Sequence, residues 1–227
     1  MNSYLSEFTE YLAEKKALAR NSLLAYERDV RGFYAFLQEK GIRDFRDVTK
    51  TEVVAYLLAL KNQDKSAATV NRKLASLRAF FQYLESYKGF AQDPTEGIKS
   101  PKIERKKLEY LTVEEVEKLL AQPDDSVKGR RDRALLEVLY ASGMRVSEVA
   151  AIDLPNINLR IGFIMTGQSS GKPRIIPLGR PARAALETYI YEARPVLLRN
   201  RESEEKALFV NYNGERLTRQ GIWKIIK

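Results

Sequence analysis

The helical spacing of apolar residues stops near residue 92 and resumes after residue 107, and this interruption most limits how the 227-residue chain can fold. Pro94, Gly97 and Pro101 lie in the interval, and neither proline nor glycine favours a helix interior. A chain of this length can build two small hydrophobic cores. We therefore predict three segments: a first domain at 1–92, a linker at 93–107 and a second domain at 108–227.

Four apolar stripes at helical spacing lie before the interruption, so we predict four helices there. Thr49 and Glu52 have the spacing of a capping box, which predicts that a helix begins at this point. A fourth helix opens near Ser66. Its inward stripe comprises Val70, Leu74, Leu77, Phe81 and Leu84.

More helices and a small antiparallel β-sheet are predicted after the linker. Thr112 and Glu115 repeat the capping-box spacing, and residues 157–163 place apolar side chains at every second position, which is typical of a strand. The remaining predicted elements are a strand at 174–178, a helix at 181–194, a strand-like run at 207–210 and a helix that begins at Thr218.

The charge of the chain predicts a polyanionic partner. Lysine and arginine number 39 against 30 aspartate and glutamate, a net charge of +9, and the excess occurs in both halves. Neutralising phosphates releases condensed counterions, so a chain of this charge favours a polyanion, and both halves could face double-stranded DNA. The alternative is a basic but inert surface.

The residue types that are absent narrow the chemistry. The sequence has neither cysteine nor histidine, which disfavours thiolate metal sites, metal hydrolysis and histidine-based triads. We expect neither a metal nor a cofactor. No apolar run has the length of a bilayer span and the first residues do not resemble a secretion leader, so we expect a cytoplasmic protein that is not bound to a membrane.

The segment Leu139–Val149 places Arg145 just after a glycine, at a junction between two helices. A guanidinium stays charged at every relevant pH, and its planar fork matches phosphate oxygens. A rigidly held Arg145 therefore suits a site where negative charge builds on phosphorus. The alternative on spacing alone is a solvated arginine beside a helix cap.

Residues 141–148 resemble the first catalytic-arginine box of tyrosine recombinases, with the pattern (A/T)-(S/T)-G-(L/M)-R-(V/I)-S-E. Further segments are similar to landmarks of the Xer-type members of that family, in the same order along the chain. These segments are 21–30, 68–78 together with 80–84, 93–97, 110–112 and 217–220.

The resemblance implies a SAM-like four-helix core-binding domain followed by an α+β catalytic domain, the two closing around the duplex as a clamp. In that family a tyrosine attacks the scissile phosphodiester to give a 3′-phosphotyrosine, and neither metal nor ATP is needed. Arg145 matches the arginine that stabilises charge on phosphorus. Family members act as tetramers on paired sites, in chromosome resolution or in integration of mobile elements.

The family's H-x-x-R box and nucleophilic tyrosine are expected after the helix that begins at Thr218, whereas the chain ends at Lys227. We therefore expect a chain that binds a half-site as a monomer without cleaving it. A naturally shortened regulator that occupies recombination sites is the alternative. A helix-turn-helix transcription factor fits the charge but leaves Arg145 and the hairpin unexplained.

The acid lysine of the family's hairpin corresponds to Ser169 in this chain, so Lys172 is the candidate replacement. Its other interpretation is a second, noncatalytic lysine of the same turn. The DNA-binding predictions fall on the fourth helix, the linker and the last helix, where we expect Trp223 to be a core anchor. The predicted DNA-binding residues are Thr69, Arg72, Lys73, Lys106, Arg219 and Gln220.

Overall fold

The structure, a computed structural model, describes residues 2–103, 109–167, 173–199 and 205–227. The chain divides into two compact units, Met1–Lys107 and Leu108–Lys227. Helices dominate both units, and a small antiparallel sheet lies in the second, so the predicted fold class is confirmed. Among the described helices, none combines the length and the apolar character that crossing a bilayer requires.

Four α-helices form the described part of the first unit, residues 2–103. The elements are α1 (Asn2–Glu14), α2 (Arg20–Glu39), a short 3₁₀ helix (Phe45–Asp47), α3 (Lys50–Asn62) and α4 (Ala67–Lys88). Helix α2 packs against both α1 and α4, and α3 packs against α4, so a single apolar core fills the space between them.

Local sequence signals explain where α3 and α4 begin. The backbone amide of Thr49 donates to a Glu52 carboxylate oxygen at 2.8 Å, and the Thr49 hydroxyl accepts from Thr51 at 3.2 Å. The Ser66 hydroxyl accepts from the amide of Thr69 at 3.3 Å, which satisfies a donor of the first turn of α4. The predicted apolar stripe of α4 is buried throughout.

The helices described in the second unit are α5 (Val113–Leu120), α6 (Val127–Ser142), α7 (Val146–Ala150), α8 (Arg180–Thr188), a π-helical turn (Tyr189–Ala193), α9 (Arg194–Leu198) and α10 (Arg219–Ile226). Helix α6 packs against α8 and against the π-helical turn that follows α8. Pro195 lies just after that turn and has no N–H to continue the regular helical bonding. The amide of Arg194 instead donates to the carbonyl of Tyr189.

The sheet has three antiparallel strands in the order β1 (Ile157–Asn158), β2 (Phe163–Thr166) and β3 (Arg174–Pro177). The prediction of one strand through 157–163 is wrong, because a turn separates β1 from β2. The Asn158 side chain accepts from the amide of Ile161 at 2.9 Å, and Gly162 has a φ of +86°. The strand-like run at 207–210 is buried but forms only isolated bridges within the described residues.

Candidate phosphate and DNA-binding site

The loop between α6 and α7 fixes the backbone of Arg145. Gly143 ends α6 with a φ of +58°, and its amide donates to the carbonyl of Leu139 at 3.1 Å. The Met144 side chain is buried in the core, which ties the loop down on the side opposite to solvent. Arg145 is then extended, and its carbonyl accepts the first amide bonds of α7. The junction predicted from sequence is thus an ordered turn.

Glu148 organises the charges around this junction. One oxygen of its carboxylate accepts from the backbone amide of Arg145 at 2.8 Å, and the other accepts from the guanidinium of Arg174 on β3 at 2.8 Å. The Arg145 guanidinium lies 3.9 Å from that second oxygen, and its side chain is 80% exposed. Two guanidinium groups therefore converge on one carboxylate, leaving one net positive charge and several free N–H donors for an anion.

Helix α10 carries Arg219 and Gln220 in its exposed first turn. The Thr218 hydroxyl accepts from the amide of Gly221 at 3.0 Å and caps the helix, which confirms the predicted start. Helix α10 packs against α7, and a groove of about 400 Å³ lies between Ser147 of α7 and Thr218. The helix that follows Arg145 and the helix that bears Arg219 are therefore direct neighbours.

Arg216 joins these two helices. Its guanidinium donates to the carbonyls of Ala150 at 3.1 Å and Ile152 at 3.3 Å, and it forms an ion pair with Asp153. The bond to Ala150 satisfies a carbonyl in the last turn of α7 that has no partner within the helix, and the carbonyl of Ile152 also accepts from the amide of Leu208 at 2.9 Å. Sequence reasoning missed Arg216 and Arg174, because each acts on residues far away along the chain.

Trp223 corrects a prediction. Its residue surface is 63% exposed, so it is not the core anchor expected from sequence. The buried member of α10 is Ile222. Apolar spacing in a short helix does not distinguish which of two adjacent large side chains meets the core.

The predicted residues of the first unit share one face of α4. Thr69 lies in the first turn with its hydroxyl 3.0 Å from that of Ser66, Arg72 follows three positions later, and Lys73 four. Arg72 and Lys73 both form ion pairs with Asp29 of α2. Their roles at DNA stay predictions. Lys106, Ser169 and Lys172 lie outside the described residues.

Tyr189 is part of the core of the second unit. Its hydroxyl donates to the carbonyl of Leu208 at 3.0 Å and accepts from the amide of Val210 at 3.1 Å. Burial raises the pKa of Tyr189 to about 12, so its hydroxyl remains protonated and hydrogen-bonded to these two backbone groups. Tyr191 and Tyr212 are exposed, and the Tyr212 ring lies against the cations of Lys128 and Arg199.

Comparison with known families assigns both units. Residues 5–88 match the phage integrase N-terminal SAM-like domain, and residues 109–227 match the phage integrase family. The two matches agree with the helical first unit and with the α+β second unit that bears Arg145.

Individual relatives agree with this assignment. A Caldanaerobacter subterraneus subsp. tengcongensis protein assigned to the tyrosine recombinases is 46% identical over 226 residues, covering 99% of this chain and 75% of the relative. Tyrosine recombinase XerD of Listeria monocytogenes is 39% identical, covering 100% of this chain and 77% of the relative. A lambda integrase tetramer bound to a Holliday junction has a similar fold, with a TM-score of 0.72 at 18% identity over 99% of this chain and 61% of that chain. The chain belongs to the phage integrase family of tyrosine recombinases.

Proposed function

We propose that these 227 residues are the DNA-binding part of a Xer-like site-specific recombinase, which grip one half of a recombination site but do not cleave it by themselves. The observation that carries this proposal is the pair of guanidiniums, from Arg145 and Arg174, that converge on Glu148 at an ordered, exposed junction. A cationic site of this kind binds a backbone phosphate without a metal ion.

DNA contact by both units follows from the placement of the other exposed cations. Arg219 and Gln220 lie in the first turn of α10, from which they can reach base edges in a major groove: arginine pairs with guanine and glutamine with adenine. Arg72 lies on a face of α4 in the first unit. Phosphate contacts would set the register of the protein on the duplex, and the α10 pair would supply sequence preference.

Tyr189 is unsuited to act as the nucleophile of a cleavage reaction. A nucleophilic tyrosine must present its oxygen to phosphorus, whereas the Tyr189 hydroxyl is held by two backbone groups inside the core. The lambda integrase neighbour binds a Holliday junction as a tetramer, and we propose that the complete recombinase likewise acts as a tetramer on paired sites. The 227 residues alone are proposed to be monomeric.

Duplexes enriched from a random pool provide the substrate for the test. Binding is then titrated between 50 and 200 mM salt. Five neutralised phosphates predict a slope of log affinity against log salt of about −4.5, which is a loss of roughly 500-fold over this range. Equal affinity at both salt concentrations would refute DNA binding through phosphates. A denaturation-resistant protein–DNA band on a nicked duplex would refute the absence of cleavage.

A matched pair of variants locates the phosphate site. Arg145→Gln and Arg160→Gln each remove one positive charge from an exposed arginine of the second unit. We expect Arg145→Gln to weaken DNA binding about 10-fold, as the loss of a charge-assisted contact does, and Arg160→Gln to weaken it less than 3-fold. Equal losses would mean that net charge, not the junction, explains binding.

A further inference from the structure

Asp29 of α2 is a completely buried carboxylate that meets three side chains of α4. One carboxylate oxygen, Oδ2, forms an ion pair with the guanidinium of Arg72 and accepts from the Ser76 hydroxyl at 2.9 Å. The other, Oδ1, lies 3.4 Å from the ammonium of Lys73. One buried negative charge is thus shared by two adjacent cations of the face predicted to bind DNA.

The two cations differ in how far they reach solvent. The Lys73 side chain is 15% exposed, and its ammonium also donates to the Tyr56 hydroxyl at 3.3 Å. Burial raises the pKa of Tyr56 to about 12, which keeps that hydroxyl protonated and neutral beside Lys73. The ammonium of Lys73 therefore has its counterion, Asp29, and a hydrogen-bond acceptor, Tyr56, inside the protein.

Arg72 is anchored at one end only. Its side chain is 42% exposed although Nη1 is paired with the buried Asp29. A guanidinium has five N–H donors in a rigid fork, so fixing one nitrogen orients the remaining donors toward solvent. A free arginine side chain loses rotamer entropy when it is immobilised on a ligand. Because Arg72 is paired with Asp29, its side chain has already lost part of this rotamer entropy before DNA binds.

We propose that Asp29 is a positioning residue for DNA binding: it holds the guanidinium of Arg72 on the exposed face of α4, in the orientation that receives a DNA phosphate. This inference rests on the proposed function. It assigns a buried acidic residue, which never touches DNA, a favourable part in binding a polyanion.

The sign of the effect separates positioning from simple electrostatics. Replacing Asp29 with asparagine makes the protein more positive, so long-range electrostatics predicts equal or tighter DNA binding. Loss of the anchor predicts weaker binding. Removing one partner of a buried ion pair also strongly destabilises a fold, because the other charge is left uncompensated. Asp29 is therefore replaced in a Lys73→Met background, in which Lys73 leaves no buried charge without a partner.

The experiment compares Asp29→Asn with a matched control in a Lys73→Met background. The control, Glu39→Gln, neutralises an exposed carboxylate at the end of the same helix. DNA affinity is measured at one salt concentration, and thermal unfolding confirms that each variant is folded. We expect Asp29→Asn to weaken binding about 10-fold relative to Lys73→Met, and Glu39→Gln to leave it equal or slightly tighter. Equal or tighter binding by the Asp29 variant overturns the proposal.

Two further variants exclude a merely structural effect. In an Arg72→Met/Lys73→Met background no guanidinium remains to be positioned, so Asp29→Asn is expected to leave DNA affinity equal or tighter; a persisting 10-fold loss overturns the proposal. If the Asp29→Asn variant is unfolded, Asp29→Glu in the Lys73→Met background moves the carboxylate by one methylene at constant charge. Weaker DNA binding supports positioning, and unchanged binding refutes it. Failure of the wild-type chain to bind DNA would instead refute the proposed function.

Discussion

Replacing Tyr189 with phenylalanine should destabilise the second unit and leave DNA chemistry unchanged. The substitution deletes a hydroxyl that donates to Leu208 and accepts from Val210, in a residue with no exposed surface. The amide of Val210 then lacks a partner in the core, whereas the carbonyl of Leu208 keeps the Arg194 guanidinium, whose Nε donates to it at 3.3 Å. A hydrogen bond contributes about 0.5–1.5 kcal/mol net and a buried group left unsatisfied costs about 1–3 kcal/mol, so the substitution predicts a loss of about 2 kcal/mol.

Chemical denaturation of the chain measures this loss directly. For a unit of 120 residues, 2 kcal/mol corresponds to a fall in Tm of about 8 °C. Tyr191→Phe is the control, because Tyr191 is 72% exposed and removal of an exposed hydroxyl should change stability by less than about 0.5 kcal/mol. Equal stability of Tyr189→Phe and Tyr191→Phe would refute the hydrogen-bonding argument, and a covalent DNA adduct that only Tyr189→Phe abolishes would refute the structural role.

Three other predictions concern the junction, base recognition and pH. Gly143→Ala should cost about 1 kcal/mol in thermal unfolding, since a Cβ there meets nothing within 4 Å but the φ of +58° is unfavourable for alanine; a cost above about 3 kcal/mol would mean a steric clash instead. Arg219→Ala and Gln220→Ala should broaden the consensus selected from random duplexes, and an unchanged consensus would exclude them as base readers. The pKa of Tyr189 rises on folding from 10.0 to about 12, so its contribution to the free energy of unfolding is complete below pH 10 and is lost as pH rises toward 12. The free energy of unfolding should therefore decline less steeply between pH 10 and 12 in Tyr189→Phe than in the wild-type chain, and an equal decline would contradict this assignment.

Local signals allowed the helix starts to be predicted. Thr49, Ser66, Thr112 and Thr218 each cap the helix that the sequence assigns to them, because a cap depends on neighbours within three residues. The turn at Gly143 was likewise visible before the structure. The backbone turn at Arg145 was predictable because it depends on adjacent residues, whereas the contact of Arg174 with Glu148 was not.

The missed features depend on contacts between distant parts of the chain or on competing local bonds. Arg174 meets Glu148 across 26 positions, and no local pattern marks that pair. The turn at Ile161 was not predicted, because apolar side chains at every second position also fit a continuous strand. In the structure the Asn158 side chain accepts from the amide of Ile161, which a strand would use for pairing with its neighbour. The exposure of Trp223 depends on which elements surround α10, and spacing along eight residues cannot report that.

The fold depends on the backbone of Arg145, whereas the proposed phosphate contact depends on its side chain. The backbone amide, not the guanidinium, makes the close bond to Glu148, and every residue except proline has that amide. A missense change at this position would therefore escape cellular surveillance for misfolded chains. Under the proposed function, the product would be a folded competitor that still occupies recombination sites through its other contacts. We expect such a variant to act as a dominant inhibitor when it is produced beside an intact recombinase.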